Sequence, residues 1–442
     1  MEISSYKNVW RVAYPIIAGS IAQNLINIVD TAFLGRLGPV QLGAAGNAMI
    51  FYFVFIVIGI GFSIGGEIIV GRRNGEGNFK AIGPVIDHCF YTLIPLSVVL
   101  FFVIRMFAGD ILQLVTADSA LVDYGSIYIH YRAFGIFFAF ANMGFRTFYI
   151  GVTKTSILIW STSLMAVVNI IFDYLLIFGK FGFPELGVEG AAIASVLAEV
   201  SALIYFLAHT LLKTDIKKYS LLAFDAFKRE HLMNLLKVSS PIMFQHFIAI
   251  SSWLFFFLII EKMGSNELAI SHIIRSIYMV LMIPLFGFSA ATSTLVSNLI
   301  GMNRQNEVLG FTWKVVKLTI LATAIVMPAN ILFPEAMLSF FTSDTDIIRN
   351  SIPVLYVITG SMFIFSFSYI LFSAVSGTGN TQVSLMIELT TLVIYIASAY
   401  LIAVKLKASL PVVWCSEFIY FGFMGLLAFL YLRFGNWQSR VI

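Results

Sequence analysis

The sequence predicts an all-α integral membrane protein whose twelve transmembrane helices form two parallel six-helix repeats. The first observation behind this prediction is composition, because hydrophobic residues make up 59% of the 442 residues and charged residues only 11%. That balance excludes a soluble globular protein and is typical of a chain that lives in lipid. The second observation is an internal repeat, in which a constant offset of 226 residues carries Pro15 onto Pro241.

The repeat keeps its register from Pro15 to Thr155 without slipping. Six spans per repeat is an even number, so both halves enter the membrane from the same side and the repeat is parallel. Two homologous bundles of this kind are typical of an alternating-access carrier. The matched segments are Pro15-Ile16 with Pro241-Ile242, Arg36 to Gly38 with Lys262 to Gly264, Gly61 to Ser63 with Gly287 to Ser289, Thr116 and Asp118 with Thr342 and Asp344, and Gly151 to Thr155 with Gly377 to Thr381.

Twelve apolar stretches support the predicted spans. At about 1.5 Å rise per residue, each is long enough to cross a hydrocarbon layer of about 30 Å. They cover residues 8–34, 43–71, 82–107, 121–150, 156–179, 187–212, 232–260, 268–300, 310–334, 347–375, 382–404 and 410–433. The chain therefore divides into an N-terminal lobe at 1–212, a cytoplasmic linker at 213–231 and a C-terminal lobe at 232–442. The linker lies either on the inner leaflet or free in solvent.

Basic residues at the span ends predict the orientation. Seventeen of them collect on one side of the membrane and seven on the other, which places both termini in the cytoplasm of a plasma (inner) membrane protein. The cytoplasmic set is Lys7, Arg11, Arg72, Arg73, Lys80, Lys154, Lys213, Lys217, Lys218, Lys228, Arg229, Lys237, Arg304, Lys314, Lys317, Arg433 and Arg440. The opposite set is Arg36, Arg105, Lys180, Lys262, Arg349, Lys405 and Lys407.

Ionisable residues inside apolar spans cost about 2.5–3.5 kcal/mol each on insertion, so each needs a reason to be there. Two of them, Asp30 on span 1 and Asp173 on span 5, lie at similar depth near the outer ends of outward-running helices. Gln23 and Asn27 share a helical face with Asp30, and Asn169 lies one turn before Asp173.

Two carboxylates at one depth, supported by amide oxygens, suit either of two related tasks. If they share a desolvated pocket, the pair can take and release a proton. Alternatively, Asp30, Asn169 and Asp173 supply hard oxygen ligands for a small cation such as Na⁺. Both alternatives describe a coupling-cation site. In the structural alternative, each Asp pairs with a buried Arg or caps a helix end.

The residues around Asp30 resemble the multidrug and toxic compound extrusion (MATE) family, in its DinF-like branch. The resemblance rests on Val-Asp-Thr-Ala-Phe-Leu-Gly-Arg-Leu-Gly from Val29 to Gly38, on Pro15, and on the Asn169 and Asp173 pair. It implies a V-shaped, two-lobe exporter of organic cations driven by inward H⁺ or Na⁺, with Pro15 and the Asp30, Asn169 and Asp173 set at the family's cation-site positions.

Other predictions concern residues around this set. Gln23, Asn27, Tyr128 and Ser195 are expected to line the cavity or support the site, and Pro15 is expected to act as a bending point of span 1, because proline removes an intrahelical hydrogen bond. The roles of Glu67, Arg132, Arg146, Glu199 and Arg275 stay open, with Asp173 or Glu199 as candidate partners of Arg132.

The second half does not repeat this chemistry. The 226-residue offset carries Asp30 onto Phe256 and Asp173 onto Ala399, neither of which binds an ion through its side chain. Cation coupling is therefore predicted in the first half alone. The alternative is a second coupling site at Glu388 or Glu417.

The predicted function is secondary antiport of amphipathic, often cationic compounds by a monomer that needs no cofactor apart from a bound Na⁺, if Na⁺ is the coupling ion. The alternative is a flippase for lipid-linked oligosaccharide or another polar lipid, whose cavity should be more basic to meet phosphates. An intramembrane enzyme would need a metal-spaced His/Asp cluster or a Ser/His pair within the spans, and the sequence offers neither. A nucleic-acid partner would need a soluble basic face.

Overall fold

The computed structural model describes residues 4–116 and 118–438, and regular structure within them is helical. Arg440, one of the basic residues used to predict orientation, lies outside the described residues. The helices of the first half are α1 (Tyr6–Leu37), α2 (Pro39–Gly75), α3 (Ile82–Val115), α4 (Ser119–Arg132), α5 (Gly135–Gly151), α6 (Ser156–Phe178), α7 (Val188–Lys213) and the short α8 (Ile216–Tyr219).

The second half begins with a helix of nearly the same length as α1. Its helices are α9 (Arg229–Glu261), α10 (Ser265–Leu281), α11 (Ile283–Gly301), α12 (Val308–Val326), α13 (Pro328–Leu332), α14 (Pro334–Ser339), α15 (Thr345–Gly377), α16 (Thr381–Tyr400), α17 (Leu410–Trp414) and α18 (Ser416–Phe434). Among the described residues, eleven helical segments are long and apolar enough to cross a membrane, and the bent pair of α4 and α5 can supply a twelfth. The all-α membrane fold predicted from the sequence is confirmed.

Four of the twelve predicted spans, at 121–150, 268–300, 310–334 and 410–433, are divided between separate α-helices. The span predicted at 121–150 is broken between α4 and α5 by a bend of 47°. There the backbone N–H groups of Phe134 and Ile136 bond carbonyls three residues back instead of four, which tightens the turn. The span predicted at 268–300 is divided at Met282, because Pro284 has no N–H to give to the preceding turn.

The structure repeats individual contacts at the same offset as the sequence. The hydroxyls of Ser63 and Thr147 lie 2.8 Å apart, and those of Ser289 and Ser373, each 226 positions later, lie 2.6 Å apart. These bonds join α2 to α5 in the first half and α11 to α15 in the second. The repeat therefore describes equivalent helix packing as well as similar sequence.

The helix starts also repeat. Asp118 caps α4 and Asp344 caps α15, and in each case a carboxylate oxygen accepts a backbone N–H two residues later at 2.9 Å. Such a cap satisfies one of the orphan donors of the first turn. The two halves thus begin an equivalent helix in the same way.

By contacts between residues, the chain divides into two compact units. One contains Tyr14–Met243, and the other contains Met1–Ala13 together with Phe244–Ile442. Each boundary falls inside a helix, close to Pro15 in α1 and close to Pro241 in α9. The boundaries predicted from the repeat, at 212 and 232, instead follow the polar linker, which the structure forms from α8 and its flanking turns.

The start of α9 packs within the first of these units. Ser239 Oγ donates a hydrogen bond to the Phe62 carbonyl on α2 at 3.1 Å. A side chain at Gly65 would overlap the backbone of Ser239, so glycine is what allows α2 and α9 to approach so closely.

Candidate cation site

Three polar side chains meet in the interior of the unit formed by Tyr14–Met243. Asp30 comes from α1, and Asn169 and Asp173 come from successive turns of α6. Asp30 exposes 5% of its surface and the other two expose none. Asp173 and Asn169 both lie within hydrogen-bonding reach of the Asp30 carboxylate. The sequence predicted that Asn169 and Asp173 share one face of a helix. In the structure, Asp30 on α1 lies against that face of α6.

The geometry of this cluster leaves polar atoms unsatisfied. Within the described residues, Asp30 Oδ1, both carboxylate oxygens of Asp173 and both amide atoms of Asn169 are buried without a hydrogen bond of good geometry. An unsatisfied buried polar group costs about 1–3 kcal/mol, and a buried charge costs more unless it is paired. Two adjacent carboxylates therefore favour the uptake of a positive charge, either a proton or a small cation.

The donor set indicates which cation would fit. Two carboxylates and one amide oxygen are hard ligands, which suit H⁺ or Na⁺ better than a soft transition metal. In the described part of the chain, no three or more His, Cys, Asp and Glu side chains are grouped so that they could hold a metal ion.

The other predicted site residues lie at different depths from the surface. Tyr128 on α4 is 1% exposed, and its side chain lies beside that of Ser195 on α7. Gln23 and Asn27 on α1 are exposed. The helical face that the three α1 residues share therefore passes from an accessible surface at Gln23 to a buried one at Asp30.

Arg132 pairs with Glu199, one of the two partners that the sequence left open for it. Two hydrogen bonds of 3.0 and 2.6 Å join the guanidinium to the carboxylate. Tyr52 on α2 accepts a hydrogen bond from Arg132, a contact that the sequence analysis did not predict. Its one sequence signal is the repeat, which carries Tyr52 onto Tyr278, a tyrosine that donates a hydrogen bond to the buried Glu417.

Two further charged residues have contacts that suggest a structural role. Glu67 on α2 is 6% exposed and accepts a hydrogen bond from Ser63 Oγ at 3.4 Å. The Arg275 guanidinium carbon lies 5.5 Å from the centroid of the Phe257 ring, a cation–π distance.

In the second half, tyrosines surround the two buried acids. Glu417 accepts hydrogen bonds from Tyr395 at 2.8 Å and from Tyr278 at 3.2 Å. Glu388 accepts one from Tyr420 at 2.7 Å. Both carboxylates therefore have neutral donors where the first half has unpaired oxygens.

A bundle of apolar spans with an internal parallel repeat and an unpaired buried carboxylate cluster defines a polytopic membrane carrier. The family model MatE matches residues 15–175 and 241–401, two segments again separated by 226 residues. The chain belongs to the MatE family, which confirms the family resemblance noted at Val29 to Gly38. Membership of the DinF-like branch stays a prediction. The family is one of transporters and not of enzymes.

Several proteins are similar over nearly the whole chain. A Thermotoga maritima protein described as a probable multidrug resistance protein NorM is 26% identical over 462 aligned residues, covering 99% of this chain and 94% of that one. A Bacillus subtilis protein described as the probable multidrug resistance protein YoeA is 22% identical, covering 86% and 81%.

A solved structure supports the fold. An outward-facing multidrug resistance MATE family transporter of the MOP superfamily superposes with a TM-score of 0.91 at 20% identity, over 98% of this chain and 97% of that one. At this identity the comparison establishes the shared fold.

Proposed function

We propose that this protein is a cation-coupled antiporter that exports amphipathic, often cationic organic compounds in exchange for H⁺ or Na⁺ by alternating access. The observation that supports this most directly is the buried cluster of Asp30, Asn169 and Asp173, whose unsatisfied oxygens suit a proton or a small cation. The two bacterial relatives, both described as probable multidrug resistance proteins, support export of organic compounds.

The residues of the cluster would do the coupling. Uptake of one H⁺ or Na⁺ neutralises part of the charge on Asp30 and Asp173, which lowers the cost of keeping both carboxylates buried. Release of the cation restores that charge. Because a ligand shifts a conformational equilibrium only through its differential affinity for the two states, the unsatisfied oxygens are where such a difference can arise.

Pro15 would transmit the change along α1. It lies inside the helix, fifteen residues before Asp30, and leaves one backbone carbonyl without its usual donor. Bending at Pro15 would move the segment that carries Gln23, Asn27 and Asp30. Gln23 and Asn27 would then contact the transported compound, and Tyr128 and Ser195 would support the site.

We further propose a placement in the plasma (inner) membrane with both termini in the cytoplasm, because basic residues are concentrated at one set of span ends. The lobes would be 1–212 and 232–442, joined by the linker at 213–231, and a monomer would suffice for transport.

The direct test is efflux of a fluorescent organic cation from proteoliposomes with imposed pH and Na⁺ gradients applied separately. We expect one of the two gradients to drive efflux, and we expect Asp30→Asn to abolish the dependence of efflux on that gradient. Transport driven by neither gradient would contradict antiport. If labelled polar lipid moves between leaflets and the organic cation does not move, the protein is a flippase.

A further inference from the structure

Two polar contacts join α4 to α7 beside the cation site. In the first, the Tyr128 side chain lies beside that of Ser195. One turn further along both helices, Arg132 meets Glu199 in a two-pronged ion pair, with Nη1 to Oε2 at 3.0 Å and Nη2 to Oε1 at 2.6 Å. The two charged side chains expose only 14% and 13% of their surfaces, so water screens the pair weakly.

Neighbouring helices fix both members of this ion pair. The Tyr52 hydroxyl on α2 accepts a hydrogen bond from Arg132 Nη1 at 3.2 Å. On α5, Asn142 Nδ2 donates to the backbone carbonyl of Glu199 at 3.0 Å. A side chain at Gly135, the first residue of α5, would overlap both the guanidinium and the carboxylate. The ion pair thus occupies the space opened by the break between α4 and α5.

Arg132 is also the basic residue that acts electrostatically on Asp30. The ionisable groups that face this region are Asp30 on α1, Tyr52 on α2, Tyr128 and Arg132 on α4, Asp173 on α6 and Glu199 on α7. On α3, Arg105 is engaged with His130 on the exposed side at 2.9 Å. One positive charge and three carboxylates, all buried or largely buried, therefore share this interior.

We propose that Glu199 is a positioning residue that holds the Arg132 guanidinium in a closed ion pair and so keeps it from serving as the counter-charge of Asp30 and Asp173. Glu199 thereby leaves the two aspartates to the external coupling cation. The inference rests on the proposed antiport function and assigns to it a residue outside the cation site.

The physical reason is charge balance in a medium of low polarity. Arg132 keeps its proton at any working pH, so it needs a carboxylate wherever it lies. With Glu199 present, that need is met by two hydrogen bonds. The Asp30 carboxylate already lies within the electrostatic influence of Arg132. Without the Glu199 carboxylate, the guanidinium would compete with H⁺ or Na⁺ for the aspartate pair.

The test compares Glu199→Gln, Arg132→Gln and the double variant in proteoliposomes. The readout is the H⁺ or Na⁺ concentration that gives half-maximal efflux of the fluorescent organic cation. Glu199→Gln should raise this concentration about tenfold or more. A cation within ~4–6 Å of a carboxylate shifts the protonation of that carboxylate to lower pH by one unit or more. Arg132→Gln should not raise it, and the double variant should return to within about threefold of the parent.

The double variant separates charge control from simple bracing. If the ion pair only ties α4 to α7, the double variant should be at least as impaired as either single variant, and that result would overturn the proposal. Breaking a buried pair can prevent folding, so Glu199→Asp serves as a second variant. Its shorter side chain cannot keep both hydrogen bonds, and it should raise the half-maximal concentration several-fold. An unchanged value in whichever of Glu199→Gln and Glu199→Asp folds also overturns the proposal.

Asp30→Asn, measured alongside, separates this inference from the function on which it rests. If Asp30→Asn loses cation dependence and folded Glu199→Gln behaves like the parent, only the role of Glu199 is wrong. Efflux by the parent protein that needs neither gradient would instead overturn the antiport function.

Discussion

At the scale of single residues, the environment of each buried acid decides its chemistry. Asp30 and Asp173 keep unsatisfied oxygens, whereas Glu199 is bonded to arginine and Glu417 to two tyrosines. A carboxylate whose partners are complete has little to gain from a cation, and one with empty lone pairs has much to gain. The unsatisfied pair is therefore where cation binding can be expected.

Asp30→Asn should abolish cation-coupled efflux, so that the gradient-driven rate falls by about tenfold or more. Folding and membrane insertion should stay nearly intact. The amide has almost the volume of the acid and is cheaper to insert. Asp173→Asn should behave in the same way. The double variant should lose little more than either single one, because residues that act as a unit are not additive. Full coupled efflux in well-expressed Asp30→Asn would remove Asp30 from the site.

The sequence could indicate this cluster because its clues are local. Asn169 and Asp173 are one helical turn apart, and Asp30 stands in a recognisable family segment. The contacts of Glu199 could not be predicted to the same depth. Its bonds come from α4 and α5, and the space it fills depends on a helix break that no proline marks. Contacts between helices that are distant in sequence have no periodic signal.

At the scale of helices, close approach depends on small residues at specific positions. Gly65 and Gly46 both lie on α2, and only Gly65 is in tight contact. A side chain at Gly65 would meet the backbone of Ser239 on α9, whereas one at Gly46 would meet nothing within 4 Å. The two positions therefore form a matched pair on one helix.

Gly65→Ala should destabilise the protein by about 1–3 kcal/mol, since the added methyl forces α2 and α9 apart. Gly46→Ala should be neutral or slightly stabilising, because alanine favours the helix more than glycine does. Thermal unfolding of both purified variants in the same detergent checks this prediction. Equal melting temperatures for the two would show that the close contact at Ser239 is not needed.

Pro15→Ala should straighten α1, preserve binding of the organic cation and slow efflux. The alanine restores the missing N–H donor and so stiffens the point at which the helix would bend. Pro95→Ala on α3 is the matched control, because it also removes a proline from the interior of a long helix. Turnover measured at saturating substrate should fall only in Pro15→Ala. Equal turnover in both variants would make Pro15 a passive residue.

At the scale of the whole molecule, the two halves share a frame and differ in chemistry. The offset of 226 residues appears in the sequence, in the family match and in paired contacts such as Ser63 with Thr147 and Ser289 with Ser373. The fold was therefore predictable from hydropathy and the repeat. The break between α4 and α5 was not, since no proline marks it and hydropathy does not distinguish one continuous span from two helices in line.

The positions equivalent to the cation cluster are aromatic or small in the second half. Asp30 becomes Phe256, Asn169 becomes Tyr395 and Asp173 becomes Ala399. Phe256 and Tyr395 stack with ring centroids 5.4 Å apart, and Phe256 and Trp414 form a T-shaped pair with centroids 4.9 Å apart. Stacked rings fill the volume in which the first half keeps its carboxylates, so coupling should belong to the first half alone.

This asymmetry is tested by neutralising the two buried acids of the second half one at a time. Glu417→Gln and Glu388→Gln should keep the dependence of efflux on the cation gradient. The amide oxygen can still accept one tyrosine hydrogen bond, and at position 417 the amide NH₂ group can donate to the second tyrosine hydroxyl. A moderate change in rate is compatible with altered packing. Efflux is measured with and without the gradient, and Asp30→Asn provides the uncoupled reference. If either glutamine variant transports well but no longer responds to the gradient, a second coupling site exists and the one-half model is wrong.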